Sequence, residues 1–521
     1  MAYVVHEQSL VNARLQLGSM GAVVAILLAT TTYGCTSGAD DPAPQGDSLT
    51  ADPTRSPANK TTTKAVVDAG AGEGGDPATD PESGDQPGTL SNAYTHFDVN
   101  HIIVTGQSNS VANGGTPYLT KVQPASNLMF DTGVMPVDNC NGDGCYAYQT
   151  PKSFVPLVEG DHFFDFQVET PSSGLGNGVS NLAKVRYGFG GAGAPASEDV
   201  LVSVNGRSGN TLWCIGKGSC PYHDAAMLAP WDQAMRDVQN AKSIALASNL
   251  TYVVRGVALI HGESDHYGYA YGTPEFPRDG SDGTPGKLKD YGDGIIELQQ
   301  DYDTNVKVIT GQTQPVPLFI SQISGWTDET SSKIAIMQYN AHLRAPGKVV
   351  LVAPGYPLSV QTDCLHYNAD GYRRLGEYFA KAYARTVFEN KPWEPLRPKL
   401  ISHAGNVITV KYYVPKMPLA IDTTRVSDPG NYGFGFADDG GAQITLVELA
   451  GPDTVKITLS KAVSSNAHLT YALNQPAGSC IGPGTTFGGG ARGNLRDSDD
   501  APSQYGYDLQ NWGVQFDLPV P

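Results

Sequence analysis

His101-Ile102-Ile103-Val104-Thr105, followed at once by Gly106-Gln107-Ser108-Asn109, is an apolar, β-branched run stopped by a glycine, the pattern of a buried strand. A serine just past the C-terminal end of such a strand stands where open α/β sheets carry their working groups. The same position also suits a turn residue or a helix N-cap. Further strand-like runs follow at Val200 to Val204, Val253 to Ile260, Val316 to Ile323 and Lys348 to Val352, with helix-like stretches between several of them. Trp231, Ala234, Met235, Val238, Ala241 and Ala245 share one face at helical spacing, as do Leu375, Tyr378, Phe379 and Ala382. These are core stripes, and the alternation predicts a doubly wound parallel sheet with helical crossovers.

A second polar segment, Asp363-Cys364-Leu365-His366, comes about 250 residues after the first. With Ser108 it supplies the serine, histidine and carboxylate that an acyl-transfer hydrolase needs. One turn can present both Asp363 and His366, the carboxylate orienting a ring that faces the serine. The order Ser, Asp, His excludes little alone, because this triad recurs on unrelated folds. A third segment, Val257-Ala258-Leu259-Ile260-His261-Gly262-Glu263-Ser264-Asp265, is another strand ending in a polar cluster.

The segments Gly106-Gln107-Ser108-Asn109, His261-Gly262-Glu263-Ser264-Asp265 and Asp363-x-x-His366 resemble the first, third and fifth blocks of the SGNH (GDSL-type) hydrolases. They are closest to the branch containing sialate O-acetylesterases and carbohydrate esterase family 6. The resemblance covers roughly residues 96 to 390. It implies a three-layer α/β/α domain with a parallel sheet and deacetylation of sugars without a cofactor. Ser108 would be the nucleophile, His366 the general base and Asp363 its partner. It also implies an oxyanion hole built from the Ser108 N–H, a glycine N–H of the second block and a side chain of the third. The second block would be Asn205-Gly206-Arg207-Ser208-Gly209-Asn210, with Gly209 favoured over Gly206 as donor. The branch usually has Gln-Gly-Glu where this chain has His261-Gly262-Glu263, and Ser264 occupies the wider superfamily's asparagine position. An imidazole N–H of His261 replaces the glutamine amide only if that nitrogen carries the proton. Gln107, Asn109, Asn210 and Glu263 are further site candidates.

His261, Glu263, Asp265 and His266 also offer ligands that suit zinc or manganese. Their spacing is not that of a helical His-Glu-x-x-His site, and alternate residues of a strand end point to opposite faces, so no metal is expected. The loop Asp279-Gly280-Ser281-Asp282-Gly283 lacks the twelve-position calcium pattern ending in a bidentate glutamate.

Arg14 precedes an apolar stretch, Gly21 to Ala29, too short to span a membrane and suited to the h-region of a signal peptide. Thr32-Tyr33-Gly34-Cys35 resembles a bacterial lipobox, which makes residues 1–35 a lipoprotein-type leader and Cys35 the lipidated residue. Residues 36–94 carry about ten acids against three bases and almost no large apolar side chains, the composition of a disordered, extended tether. The expected location is a bacterial cell envelope or the extracellular space, with membrane contact only through lipid at Cys35.

Seven cysteines in an exported chain suggest disulfides. Cys140 and Cys145, and Cys214 and Cys220, would each close a small loop, leaving Cys364 and Cys480 to staple the Asp363 to His366 loop to the C-terminal region; sequence does not fix the connectivity. After the esterase domain, residues 95–397, the pattern turns to alternation without helices. Val407 to Val414, and a hairpin of Ile444 to Leu449 with Val455 to Leu459 turned by Gly451-Pro452-Asp453, predict a small all-β sandwich over residues 398–521. Tyr505, Tyr507 and Trp512 are its candidate sugar-binding aromatics, unless it only buttresses the esterase. Asn494 to Asp500 is an oxygen-rich loop without an assigned role.

The net charge of −18 argues against nucleic acid and modestly against strongly anionic polymers, and fits an acetylated oligo- or polysaccharide. Two function classes follow. One is a secreted serine carbohydrate acetylesterase, with lipase and thioesterase as neighbouring possibilities. The other is a surface glycan-binding protein on an unused hydrolase fold. The particular sugar, the acetyl position and the oligomeric state lie beyond the sequence.

Overall fold

β1, Val99–Gly106, is buried along its whole length, as a strand covered on both faces must be. The computed structural model describes residues 88–137, 147–160, 168–218, 220, 228–325, 332–473 and 490–521, all belonging to one of the chain's two compact units. The leader with Cys35, nearly all of the tether, and Cys140, Cys145 and Cys480 lie outside these residues.

β1 lies inside a seven-stranded sheet with β2 (Leu128–Phe130), β3 (Phe154–Pro156), β4 (Val200–Val204), β5 (Tyr252–Ile260), β6 (Leu318–Gln322) and β7 (Val349–Pro354), in the order β3-β2-β4-β1-β5-β6-β7. Every neighbouring pair is parallel except β2 with β3. Strand order reverses between β1 and β5, the switch point at whose carboxyl edge open α/β sheets form a crevice. The alternation of β1 side chains sorts the helices into two layers. Ile102 and Val104 face α1 (Pro171–Tyr187) and α6 (Ala369–Tyr383). Ile103 faces α2 (Pro230–Ala247), α4 (Tyr291–Thr310) and α5 (Lys333–Arg344). This is the three-layer α/β/α arrangement, and both helical stripes read from the sequence lie in it, with Met235 the one member only partly buried.

α1 and α6 approach backbone to backbone. A Cβ on Gly174 would collide with the Arg373 carbonyl, and one on Gly376 with the carbonyl of Pro171. That close approach fixes the start of α6, capped where the Asn368 side chain accepts from the Gly371 N–H at 2.9 Å, and with it the Asp363 to His366 loop just before.

Antiparallel sheets follow. β8 (Arg397–Ala404), β9 (Val407–Tyr413), β12 (Ile444–Leu449) and β13 (Thr454–Leu459) form one sheet in the order β12-β13-β9-β8, and the expected hairpin pairs Ile444 with Leu459 and Leu449 with Val455. Three strands, β11 (Phe434–Ala437), β14 (His468–Tyr471) and β16 (Phe516–Pro519), form another, and the short β10 (Ala420–Ile421) and β15 (Leu495–Arg496) pair with each other. Ile408, Val410, Leu469 and Phe516 belong to the same apolar cluster as Ile103 and Leu351, so the β part and the α2/α4/α5 layer share one core.

The last segment runs back across the α/β part. The Tyr378 and Tyr356 hydroxyls donate to the carbonyls of Gln510 and Gly513 at 2.9 and 2.7 Å. Lys381 pairs with Asp499 at 2.7 Å. These contacts revise the sugar-binding expectation for the C-terminal aromatics. Trp512 is 1% exposed. The Tyr505 hydroxyl accepts from the Asn177 side-chain N–H₂ at 2.7 Å and lies 3.4 Å from the Thr120 hydroxyl. Tyr507 binds Asp370 and Arg373 at 2.7 and 2.9 Å. The oxygen-rich loop is likewise internal, its Asp497 accepting from the backbone N–H groups of Asn511 and Lys416 at 2.7 and 3.1 Å.

Candidate active site

Gly106 ends β1 with φ +140°, and a Cβ there would meet the Ile260 carbonyl oxygen. Only glycine lets the end of β1 lie this close to β5. The chain then turns: the Ser110 N–H donates to the Gln107 carbonyl at 2.8 Å and the Asn113 N–H to the Ser108 carbonyl at 3.0 Å. Ser108 sits on this turn, 6% exposed.

The loop between β7 and α6 reaches the same point. His366 Nε2 lies 2.8 Å from Ser108 Oγ, and His366 Nδ1 lies 2.6 Å from Asp363 Oδ2. Asp363 Oδ1 accepts from the backbone N–H groups of Leu365 and His366 at 3.0 and 3.1 Å. Partial burial pushes the Asp363 carboxyl up, but the bond from the His366 ring and these two N–H groups outweigh it and hold it below the usual carboxylate range. An ionised carboxylate only accepts, so the proton of the neutral imidazole sits on Nδ1 and the Nε2 lone pair is left for the Ser108 hydroxyl. Cys364, between them, has φ +64° and is disulfide-bonded; its expected partner, Cys480, lies outside the described residues.

Asn109 ties three segments together. Its side-chain N–H₂ donates to Glu263 Oε1 at 2.8 Å and to the Leu365 carbonyl at 3.2 Å. Its Oδ1 accepts from the Tyr372 hydroxyl at 2.8 Å and from the Tyr367 N–H at 3.4 Å. Gln107 Oε1 accepts from the Ser264 N–H at 3.0 Å. Glu263 is 4% exposed, and burial raises its carboxyl above the ordinary value against the lowering effect of its hydrogen bonds and of His366. Sequence reasoning left Gln107, Asn109 and Glu263 without roles and missed Tyr372, which lies on α6 and carries no motif.

The second-block loop flanks the turn. The Arg207 N–H donates to the Gly106 carbonyl at 3.0 Å, and the Ser208 hydroxyl to Asn113 Oδ1 at 3.3 Å. Gly206 is buried between strand ends, whereas Gly209 is exposed with φ +74°.

His261 departs from its expected part. It is 1% exposed, with Nδ1 2.9 Å from the Tyr291 hydroxyl and Nε2 3.0 Å from the Asn210 carbonyl. A carbonyl only accepts, so Nε2 carries the proton and spends it on Asn210, while Nδ1 accepts from Tyr291. Burial lowers the ring to about 4, against the smaller raising effect of that bond, which keeps it neutral. His261 therefore pins the second-block loop through Asn210 and has no donor left for an oxyanion.

The neighbouring polar groups go separate ways. Asp265 accepts from the Leu212 N–H at 2.8 Å and is pushed up to about 7 by burial. The His266 ring faces the Ser332 hydroxyl at 2.9 Å. In the glycine-rich loop, Asp279 accepts from the Gly286 N–H at 2.7 Å and Asp282 pairs with Lys287 at 3.0 Å. Of the disulfide candidates, Cys214 and Cys220 are bonded to each other.

No family model and no curated protein matches the chain. Solved structures similar to it include a carbohydrate acetylesterase from Xanthomonas citri, 13% identical over 81% of each chain, with a TM-score of 0.47. A protein from Arabidopsis thaliana is 15% identical over 56% of this chain and 99% of its own, with a TM-score of 0.34. NanS is 13% identical over 44% of this chain and 68% of its own, with a TM-score of 0.27.

Proposed function

We propose that the chain is a serine ester hydrolase that removes O-acetyl groups from a glycan. The observation that carries this reading is the continuous relay Asp363 to His366 to Ser108, at 2.6 and 2.8 Å, on the carboxyl edge of the sheet. His366 Nε2 takes the Ser108 proton as Oγ attacks the acetyl carbonyl. The tetrahedral oxyanion is held by the Ser108 N–H and, on the second-block loop, the Gly209 N–H. Collapse expels the sugar alkoxide, which leaves with the proton from His366, and acetyl remains on Oγ. Water then gives its proton to Nε2, attacks the acetyl carbonyl, and acetate departs as Oγ is reprotonated. Asp363 keeps the proton on Nδ1 and stabilises the imidazolium that forms twice per turnover.

The acetyl-glycan specificity rests on the block resemblance and on the charge balance. Export rests on the leader sequence and on the Cys214–Cys220 disulfide, a bond of oxidising compartments, with Cys35 proposed as a lipid anchor. The test is hydrolysis of 4-nitrophenyl esters of increasing acyl length by the purified protein and its Ser108→Ala variant. Activity on acetate that falls steeply by butyrate, and drops about 10⁶-fold in the variant, is expected. Rising activity on long acyl chains would indicate a lipase or thioesterase instead, and equal activity of both proteins would remove Ser108 from the mechanism.

A further inference from the structure

The helix that follows β5 has an unusual solvent side. In α3, Glu263–Ala270, residues Glu263, Asp265 and His266 are buried, while Ser264, Tyr267 and Gly268, with Tyr271 just beyond, form the outward stripe at i, i+3, i+4 and i+7. An outward stripe is normally charged or polar. This one carries two tyrosine rings and no charge. The rings are stacked, with centroids 6.1 Å apart and planes at 15°, and Tyr271 is 65% exposed. The inner ring is braced from below: the His266 ring meets Tyr267 edge-on at 5.3 Å, and His266 is itself held by Ser332.

The stripe begins at the catalytic turn. Ser264, its first member, gives its N–H to Gln107, the residue before Ser108. From Ser264 to Tyr271 the helix advances about 10 Å, the reach of an oligosaccharide rather than of a single sugar.

We infer that Tyr267 and Tyr271 form a sugar-binding platform of the esterase, on which a neutral pyranoside of the substrate chain, beyond the acetylated residue, packs its C–H face. This rests on the acetylesterase reading and adds to it a preference for oligomeric, uncharged glycan. An exposed aromatic surface offers large contact area at low conformational cost, and the absence of charge on the stripe favours a neutral sugar over a uronate.

The test compares kcat/KM of the purified protein on chemically acetylated xylohexaose, on acetylated xylose and on 4-nitrophenyl acetate, for the native chain and for Tyr271→Ala, Tyr271→Phe and Tyr267→Ala. The native protein is expected to prefer the hexasaccharide over the monosaccharide by about tenfold. Tyr271→Ala lowers kcat/KM on the hexasaccharide about five- to tenfold more than on 4-nitrophenyl acetate, mainly through KM, and Tyr271→Phe keeps the preference because the ring, not the hydroxyl, makes the contact. Equal losses on all three substrates, no native preference for the longer sugar, or 4-nitrophenyl acetate turnover without release of acetate from either sugar, overturns the platform. Activity that survives Ser108→Ala removes Ser108 from the mechanism, a separate outcome.

Discussion

Asn109 holds the triad's geometry without belonging to it. Its one amide bonds the third block through Glu263, the histidine loop through Leu365 and α6 through Tyr372, so it sets the distance between Ser108 and His366. Asn109→Ala leaves a buried Glu263 carboxyl and the Tyr372 hydroxyl short of partners, a cost of about 1–3 kcal/mol. The variant is expected to fold with a lower Tm and to lose about tenfold or more in kcat on 4-nitrophenyl acetate with little change in KM; an unchanged kcat contradicts the positioning role. Ser108, Asp363 and His366 were legible in the sequence because each ends or follows a recognisable segment in a fixed order. His261 was not, because what decides its part is the tautomer, and its partners Tyr291 and Asn210 lie 30 and 51 residues away.

α2 shows what periodicity reads and what it misses. Its apolar stripe from Trp231 to Ala245 was legible, but Gln233 and Asp237 are equally buried. Their partners come from remote loops: Arg207 donates to Gln233 at 2.7 Å and the Tyr148 hydroxyl to Asp237 at 2.9 Å. Burial pushes the Asp237 carboxyl up to about 8, against the lowering effect of these neighbours. A carboxyl whose folded value is raised keeps its proton while the unfolded chain loses it, so the stability it contributes is full below the unfolded value near 4 and is lost as the pH rises to about 8. Asp237→Asn removes that titration. Its stability relative to the native protein should therefore increase from pH 5 to pH 8, by more than about 1 kcal/mol, in denaturant melts at the two pH values. A pH-independent difference would contradict the assignment. Strands, by contrast, were legible wherever both faces are covered, as in β1, β4, β5 and β7; the three-residue edge strands β2 and β3 are too short to leave a pattern.

At the scale of the whole molecule, the change from α/β to antiparallel strands was visible as a change of period, but the return of the chain end was not. Gln515 donates through its side-chain N–H₂ to the Ser324 hydroxyl at 2.7 Å and through its backbone N–H to Gln322 Oε1 at 2.8 Å, contacts between residues nearly 200 positions apart that no local pattern encodes. The same segment takes up Tyr505, Tyr507 and Trp512, which composition alone had marked as binding aromatics, and leaves the aromatic stripe beside the triad to α3. The proposed chemistry needs a single activated serine per chain. Treating the purified protein with a 4-nitrophenyl alkylphosphonate, and measuring its intact mass before peptide mapping, tests this most directly. One phosphonyl group per chain is expected, on Ser108, formed in parallel with loss of esterase activity and absent from His366→Ala. Loss of activity with the label on another residue, or full activity with Ser108 labelled, would contradict it.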